Sequence, residues 1–201
     1  MAATRTLSNL TPPSPQGHNH GFEVIMLAYL FVLLAVAVRF MPHPWTFTPV
    51  AASLLFFGAR GSRRQLWLPF VLLAASDVVL TKLVYAYSFS WDYFVTWAWY
   101  AAILWLGTRL GATAKPLRVI GAALASSVSF FLVSNFATWA VLNMYPKNFG
   151  GLMMSYTLGL PFFRNAVEGD LLFTCVMFAT PVALHALAGA FSRDTDHTAP
   201  A

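Results

Sequence analysis

Asp77 is the residue in this chain with most chemistry to account for. It lies in LPFVLLAASDVVL, inside an apolar run from Leu66 to Tyr85. At ~1.5 Å per residue it sits about 16 Å into a helix, near mid-bilayer if the run crosses a membrane. An ionised carboxylate there costs several kcal/mol unless it is paired or hydrated, so Asp77 must face the interior of a bundle. Two roles fit equally: a salt-bridge clamp between helices, with Arg39 as partner, or a ligand contact. Helical spacing places Asp77, Thr81 and Tyr85 on one face, Asp92, Thr96 and Tyr100 on a second, and Asn135, Trp139 and Asn143 on a third. Taken singly, such a stripe is the signature of interhelical hydrogen bonding. Three stripes running toward the same end, with Trp45, Trp91, Trp97, Trp99 and Trp139 in that half of the chain's spans, predict an aromatic, polar-studded cavity that takes a small organic molecule.

The charges near that end are Arg39, Lys82, Lys147 and Arg164 against Asp77, Asp92, Glu168 and Asp170, four of each sign. His43, held between Pro42 and Pro44, is the one histidine close to them. The candidate ligand-binding set is therefore Arg39, His43, Asp77, Lys82, Asp92, Trp97, Asn135, Trp139, Arg164 and Asp170. In it, Arg39 and Arg164 would receive an anionic group, Asp77 would orient them, and the tryptophans would stack on an apolar part of the ligand. The sequence holds no Gly-rich phosphate loop, no His pair at metal spacing and no nucleophile elbow. A non-enzymatic protein without metal or cofactor is expected; the acids Glu168 and Asp170 are the one feature that would suit a membrane enzyme. Cys175, alone and inside an apolar run, reads as a packing residue.

The elements that must position these residues are membrane spans. Hydrophobic residues make up 58% of the 201, charged residues 9% and aromatic residues 16%, and the mean hydropathy is +0.64. A soluble chain has about a quarter of its residues charged. Six apolar runs follow one another: Phe22 to Met41, Trp45 to Ala59, Leu66 to Tyr85, Tyr93 to Leu110, Val119 to Leu142 and Gly169 to Phe191. The second is short and begins among Pro42, Pro44 and Pro49, so it is expected to span with a broken start. Residues 150–163, with Gly150, Gly151, Gly159 and Pro161, read as a short re-entrant or interfacial helix; a seven-span version, in which they cross, is the alternative. The fold class is an all-α integral membrane protein of six transmembrane helices plus that short helix. Residues 1–21 and 192–201 are polar, Pro- and Thr-containing stretches expected to be disordered cytoplasmic tails around a single domain, 22–191. Ala35-Val36-Ala37 resembles a signal-peptide cleavage site, but the long leader and Glu23 fit that pattern poorly.

Basic clusters set the orientation. Arg60, Arg63 and Arg64 fill one connection and Arg109, Lys115 and Arg118 another, with no acid in either. Together with Arg5 and Arg193 they place eight of the 12 Lys and Arg residues on one side, the cytoplasmic side by the positive-inside rule. Both termini are then cytoplasmic and the polar cavity opens outward. The formal charge of +5 follows from this topology, and no nucleic-acid partner is expected.

Three stretches together, RFMPHPWTFTPVAASLLFFGA, LPFVLLAASDVVL and SNFATWAVLNMYPKNFGGLMMSYTLGLPFFRNAVEGDLLFT, resemble the DUF6580 type, a family of small bacterial membrane proteins of unknown function. More distantly, the basic-plus-His turn after span one, the mid-span acid and the Gly-rich segment before the last span are similar to the solitary cobalamin-uptake S components of the BtuM kind, relatives of the substrate-binding subunits of ECF vitamin transporters. That resemblance implies an S-component-like bundle in the bacterial inner membrane, a vitamin or corrinoid as ligand, and ECF-type energising subunits as partners beside the lipid bilayer. It does not carry cobalt–thiolate binding here, because Phe94 stands where those proteins have their cysteine. Nor does span one show the small-xxx-small pair that S components use for docking. The expected function is substrate binding or uptake; the alternative is a non-transporting structural or accessory membrane protein.

Overall fold

The computed structural model describes residues 16–42, 46–88, 90–111 and 113–196. Among these there is no strand. Six helices follow in order: α1 (Gln16–Val38), α2 (Val50–Arg60), α3 (Trp67–Val79), α4 (Asp92–Leu110), α5 (Pro116–Val141) and α6 (Phe149–Asp196). A 3₁₀ turn, Arg63–Gln65, precedes α3, and a π-helical turn, Leu80–Val84, ends it. The helix boundaries obey local rules. Asp92 opens α4 and Arg109 closes it, each complementing the helix dipole; Gly111, at φ 70°, stops it. Pro116 starts α5, where its missing N–H costs nothing.

Four stretches are long and apolar enough to cross a bilayer: Gly21–Val38, Arg63–Val84, Pro116–Val141 and Phe149–Ala190. Most of the last is not buried, and Leu30, Leu33, Leu132, Leu160 and Leu172 point outward. Apolar side chains exposed on every face are what lipid contact requires. The chain is a helical membrane protein. Two of the six expected spans are not among these stretches: α4 has 19 residues diluted by Asp92, Trp, Tyr and Gly, and α2 has 11 residues.

α2 is the core of the bundle. Every residue from Val50 to Gly58 is buried, with Phe31, Phe56 and Phe178 in edge-to-face contact at 5.0 and 5.2 Å. It meets α4 backbone to backbone: a Cβ on Gly107 would lie 2.5 Å from the Leu55 carbonyl oxygen and 3.0 Å from the Gly58 Cα. Gly107 thus serves the bundle, whereas Gly121 faces open space.

The end of the chain departs from the sequence reading. The expected short helix over 150–163 and the last span are one unbroken helix of 48 residues, α6, which contains Pro161 and Pro181. The connecting residues, Arg164 to Glu168, hold neither Gly nor Pro, so nothing in them stops the helix. α5 and α6 pair antiparallel along the length of α5: the Ser155 hydroxyl donates to the Asn135 carbonyl (2.9 Å) and the Tyr156 hydroxyl to the Leu132 carbonyl (3.0 Å), and Phe131 stacks near Phe163 at 4.7 Å. α1 begins at Gln16 and α6 runs to Asp196, so helix reaches into both stretches read as tails.

The two basic connections meet at one end of the bundle, where the Arg63 guanidinium donates to the Thr108 carbonyl at 3.3 Å. The opposite end holds the α1–α2 segment, the π-helical turn, the start of α4 and the α5–α6 turn.

Candidate ligand cavity

A cavity of about 320 Å³ lies at the end away from the basic connections, lined by Arg39, Thr46, Thr48, Val50, Ala51, Asp77, Leu80, Thr81, Tyr85, Tyr93, Thr96, Trp99, Tyr100, Phe130, Ala166 and Asp170. The α1–α2 segment, α2, α3, the π-helical turn, α4, α5 and α6 all contribute. The α1–α2 segment supplies Thr46 and Thr48 from irregular backbone. Its fold is held by the Thr46 hydroxyl, which donates to the Phe162 carbonyl at 2.6 Å, and by Gly169 of α6, whose missing side chain leaves room for Phe47. The π-helical turn brings Leu80 and Thr81 to the wall, and the Thr81 and Tyr93 hydroxyls share a hydrogen bond at 2.5 Å. Such turns recur at functional sites because they re-aim side chains.

The expected Arg39–Asp77 pair is present. Asp77 is 4% exposed and forms a salt bridge to Arg39. Arg39 also donates to Ser76 (2.9 Å) and Tyr100 (3.3 Å), while Asp77 accepts from Trp97 Nε1 (2.9 Å) and the Tyr100 hydroxyl (3.4 Å). The network ties the end of α1 to α3 and α4. Its members satisfy one another, as a buried ion pair must be to offset its desolvation.

Asp170 is the other charge at the cavity. It is 6% exposed, and Ser127 of α5 donates to its Oδ2 at 2.6 Å. Among the described residues it has no cationic partner.

A second cavity of about 440 Å³ opens between α5 and α6, lined by Thr46, Ser127, Phe130, Phe131, Ser134, Asn135, Thr138, Leu142, Met144, Tyr145, Leu158, Gly159, Phe162, Phe163 and Ala166. Thr46, Phe130 and Ala166 belong to both walls, so the two chambers adjoin.

The sequence of this membrane bundle was compared with known proteins. The profile of a family of unknown function, DUF6580, matches residues 20–191. The chain belongs to the DUF6580 family. No curated protein and no solved structure matches it. The DUF6580 region takes in all six helices from the first turns of α1 and both chambers of the cavity.

Within this DUF6580 chain the structure gathers Arg39, Asp77 and Asp170 at the cavity, with Trp97 behind Asp77 and Asn135 in the adjoining chamber. Others of the expected set lie elsewhere. Arg164 points away from the bundle, 80% exposed, and pairs with Glu168 one turn on, at 2.8 Å; a continuous helix turns that face outward. Lys82 is exposed. Asp92 is half-buried at the first turn of α4 and lines neither chamber. Trp139 is spent on the α5–α6 turn, where its Nε1 donates to the Pro146 carbonyl at 2.9 Å and Lys147 donates to its own carbonyl. His43 lies outside the described residues. The candidate set omitted Thr46, Tyr93, Trp99 and Ser127. Ser127 sits in GAALASSVS, a run that reads as close helix packing, and only the pairing of α5 with α6 reveals that its hydroxyl faces a carboxyl.

Proposed function

We propose that this DUF6580 protein is a small-molecule-binding protein of the bacterial inner membrane, with an uptake role of the S-component kind. The observation that carries the proposal is the cavity itself: charged, hydroxyl-bearing and aromatic side chains converge from α1, α3, α4, α5 and α6 on enclosed space within an otherwise apolar bundle. Ionisable groups within spans are costly and mark substrate or ion pathways. In this reading all six helices cross, α2 with the help of the segment before it, and both termini are cytoplasmic, so that the cavity faces outward. Binding is favoured over catalysis because the hydroxyls of Thr81, Tyr93 and Tyr100 are engaged with each other or with Asp77.

Size narrows the ligand. At about 320 Å³ the polar chamber stands at the lower end of the ~300–1,000 Å³ typical of ligand pockets. A compact metabolite fits it and a corrinoid does not. ECF-type energising subunits would be the partners of such a binder, docking from the basic end.

A purely structural role is the second reading, favoured by the saturation of the Arg39–Asp77 network. The decisive experiment is a thermal-unfolding screen of the purified protein in lipid nanodiscs against water-soluble vitamins, amino acids and amines. Binding predicts that at least one compound raises Tm and loses its effect in Thr96→Phe, which fills the half-buried cavity wall. A screen in which no stabilisation depends on residue 96 overturns the binding reading in favour of the structural one. Cobalamin is expected to give no shift.

A further inference from the structure

We infer that the cavity takes a protonated amine carried on a compact apolar body, with Asp170 as the counter-ion of the amine. The inference rests on reading the cavity as a binding site and names the class of ligand.

A census of charge leads to it. Arg39 and Asp77 cancel, and their hydrogen-bonding groups are occupied by each other and by Ser76, Trp97 and Tyr100. Neither is available to attract a charged ligand without breaking that network. Arg164 is outside the cavity with Glu168, Lys82 is exposed, and Asp92 serves the start of α4. What remains on the cavity wall is one carboxyl, Asp170, 94% buried on the strength of its 6% exposure and held by one neutral donor, Ser127 at 2.6 Å. A buried anion without a cation is costly. Here the fold presents it to space instead of to a lysine or arginine, and a cation entering that space supplies the missing partner.

The surroundings suit such a ligand at both ends. Trp99, Tyr100, Tyr93 and Phe130 line the same chamber, and aromatic faces attract ammonium groups. Trp99 and Phe130 are locked together at 4.7 Å between ring centroids, so their faces are fixed in place. Ser127, which holds Asp170, also lines the second chamber of about 440 Å³, whose wall is mainly Phe131, Leu158, Phe162 and Phe163. Asp170 therefore stands where a polar chamber joins an apolar one. An amine head at Asp170 leaves the body of the ligand the choice of the apolar side, past Ala166.

The test uses three probes with one ring and three heads: phenethylamine, phenethyl alcohol and 3-phenylpropionate, each titrated against the full-length protein in nanodiscs by thermal shift and calorimetry. The amine is expected to bind at least ~10-fold more tightly than the alcohol, and the carboxylate not at all. In Asp170→Asn, which keeps an acceptor for Ser127 but no charge, the preference for amine over alcohol should vanish. In Ala166→Leu, which narrows the passage, phenethylamine should lose affinity while methylamine keeps its own. Carboxylate binding equal to or tighter than amine binding in the wild-type protein, a comparison that needs no variant, overturns the inference; so does a preference for the amine that survives in Asp170→Asn, and so does a lack of response to any of the three probes. A neutral or anionic compound whose binding is lost in Thr96→Phe would overturn the amine while leaving the binding function standing. Absence of any binder sensitive to residue 96 would remove both.

Discussion

Two buried carboxyls, Asp77 and Asp170, differ in what an uncharged substitute would do. Asp77→Asn leaves the Arg39 guanidinium, mostly buried beside Ser76 and Tyr100, without its counter-charge. Breaking a buried pair from one side costs about 3–5 kcal/mol, so Asp77→Asn is expected to lower the unfolding temperature sharply, and replacing both Arg39 and Asp77 by Leu to recover much of the loss. Asp170→Asn removes an anion that has no cation to strand and is expected to leave stability unchanged or raised. Unfolding of the three variants in one detergent measures both expectations. Equal losses for Asp77→Asn and Asp170→Asn would mean that Asp170, too, is a clamp. The Arg39–Asp77 pair was legible in the sequence because depth alone forces Asp77 to find a partner. Asp170 was legible as a candidate, but its isolation was not, since which cations come near it depends on how α6 faces α5.

At the scale of elements, the closest approach in the bundle is made by two glycines. Gly58 of α2 and Gly107 of α4 bring the helices into backbone contact, and this crossing fixes the α4 wall of the cavity against the core. Alanine is about 1 kcal/mol better than glycine within a helix, so on propensity alone Gly107→Ala should stabilise. The contact predicts the reverse: a Cβ 2.5 Å from the Leu55 carbonyl oxygen must push α2 and α4 apart, an overpacking cost of about 1–3 kcal/mol. Gly121→Ala, with nothing within 4 Å of its Cβ, is the control that should show the propensity gain. Thermal unfolding of the pair reads the difference, and a stabilised Gly107→Ala would show that the helices do not cross there. The locations of α1, α3, α4 and α5 followed from hydropathy and from Pro and Gly at their ends. α6 did not. Gly159 and Pro161 look like a break in the sequence, but Gly159 is where the Asn135 side chain packs against α6, so the glycine marks a helix contact and not a chain reversal.

For the whole molecule, the length of α6 is the feature that sidedness must explain. At ~1.5 Å per residue its 48 residues extend about 72 Å, more than twice a ~30 Å hydrocarbon core, whereas α5, its antiparallel partner, has 26 residues. The two run side by side from the turn at Asn148, and Phe178 of α6 is still inside the bundle against Phe56. Beyond that point residues 182–190 are all exposed, so α6 projects past the basic end, where Arg60, Arg63, Arg64, Arg109, Lys115 and Arg118 gather. The positive-inside rule predicts that this end is cytoplasmic, and the projecting helix with it. In a Cys175→Ser background, single cysteines at Asn148, Ser62 and Gly189 turn this into a measurement with a membrane-impermeant thiol reagent. The Asn148→Cys protein should be labelled in intact cells, and Ser62→Cys and Gly189→Cys only after the membrane is opened. Labelling of Ser62→Cys in intact cells would invert the protein and turn the cavity inward. Labelling of both Asn148→Cys and Gly189→Cys in intact cells would mean that the two ends of α6 share one face, against its pairing along α5. The charges alone predict an orientation for the first five helices, since each basic connection sits between two of them; the direction of residues 182–196 depends on the continuity of α6 through Arg164 to Glu168, and that continuity is a property of the packed helix rather than of any local signal.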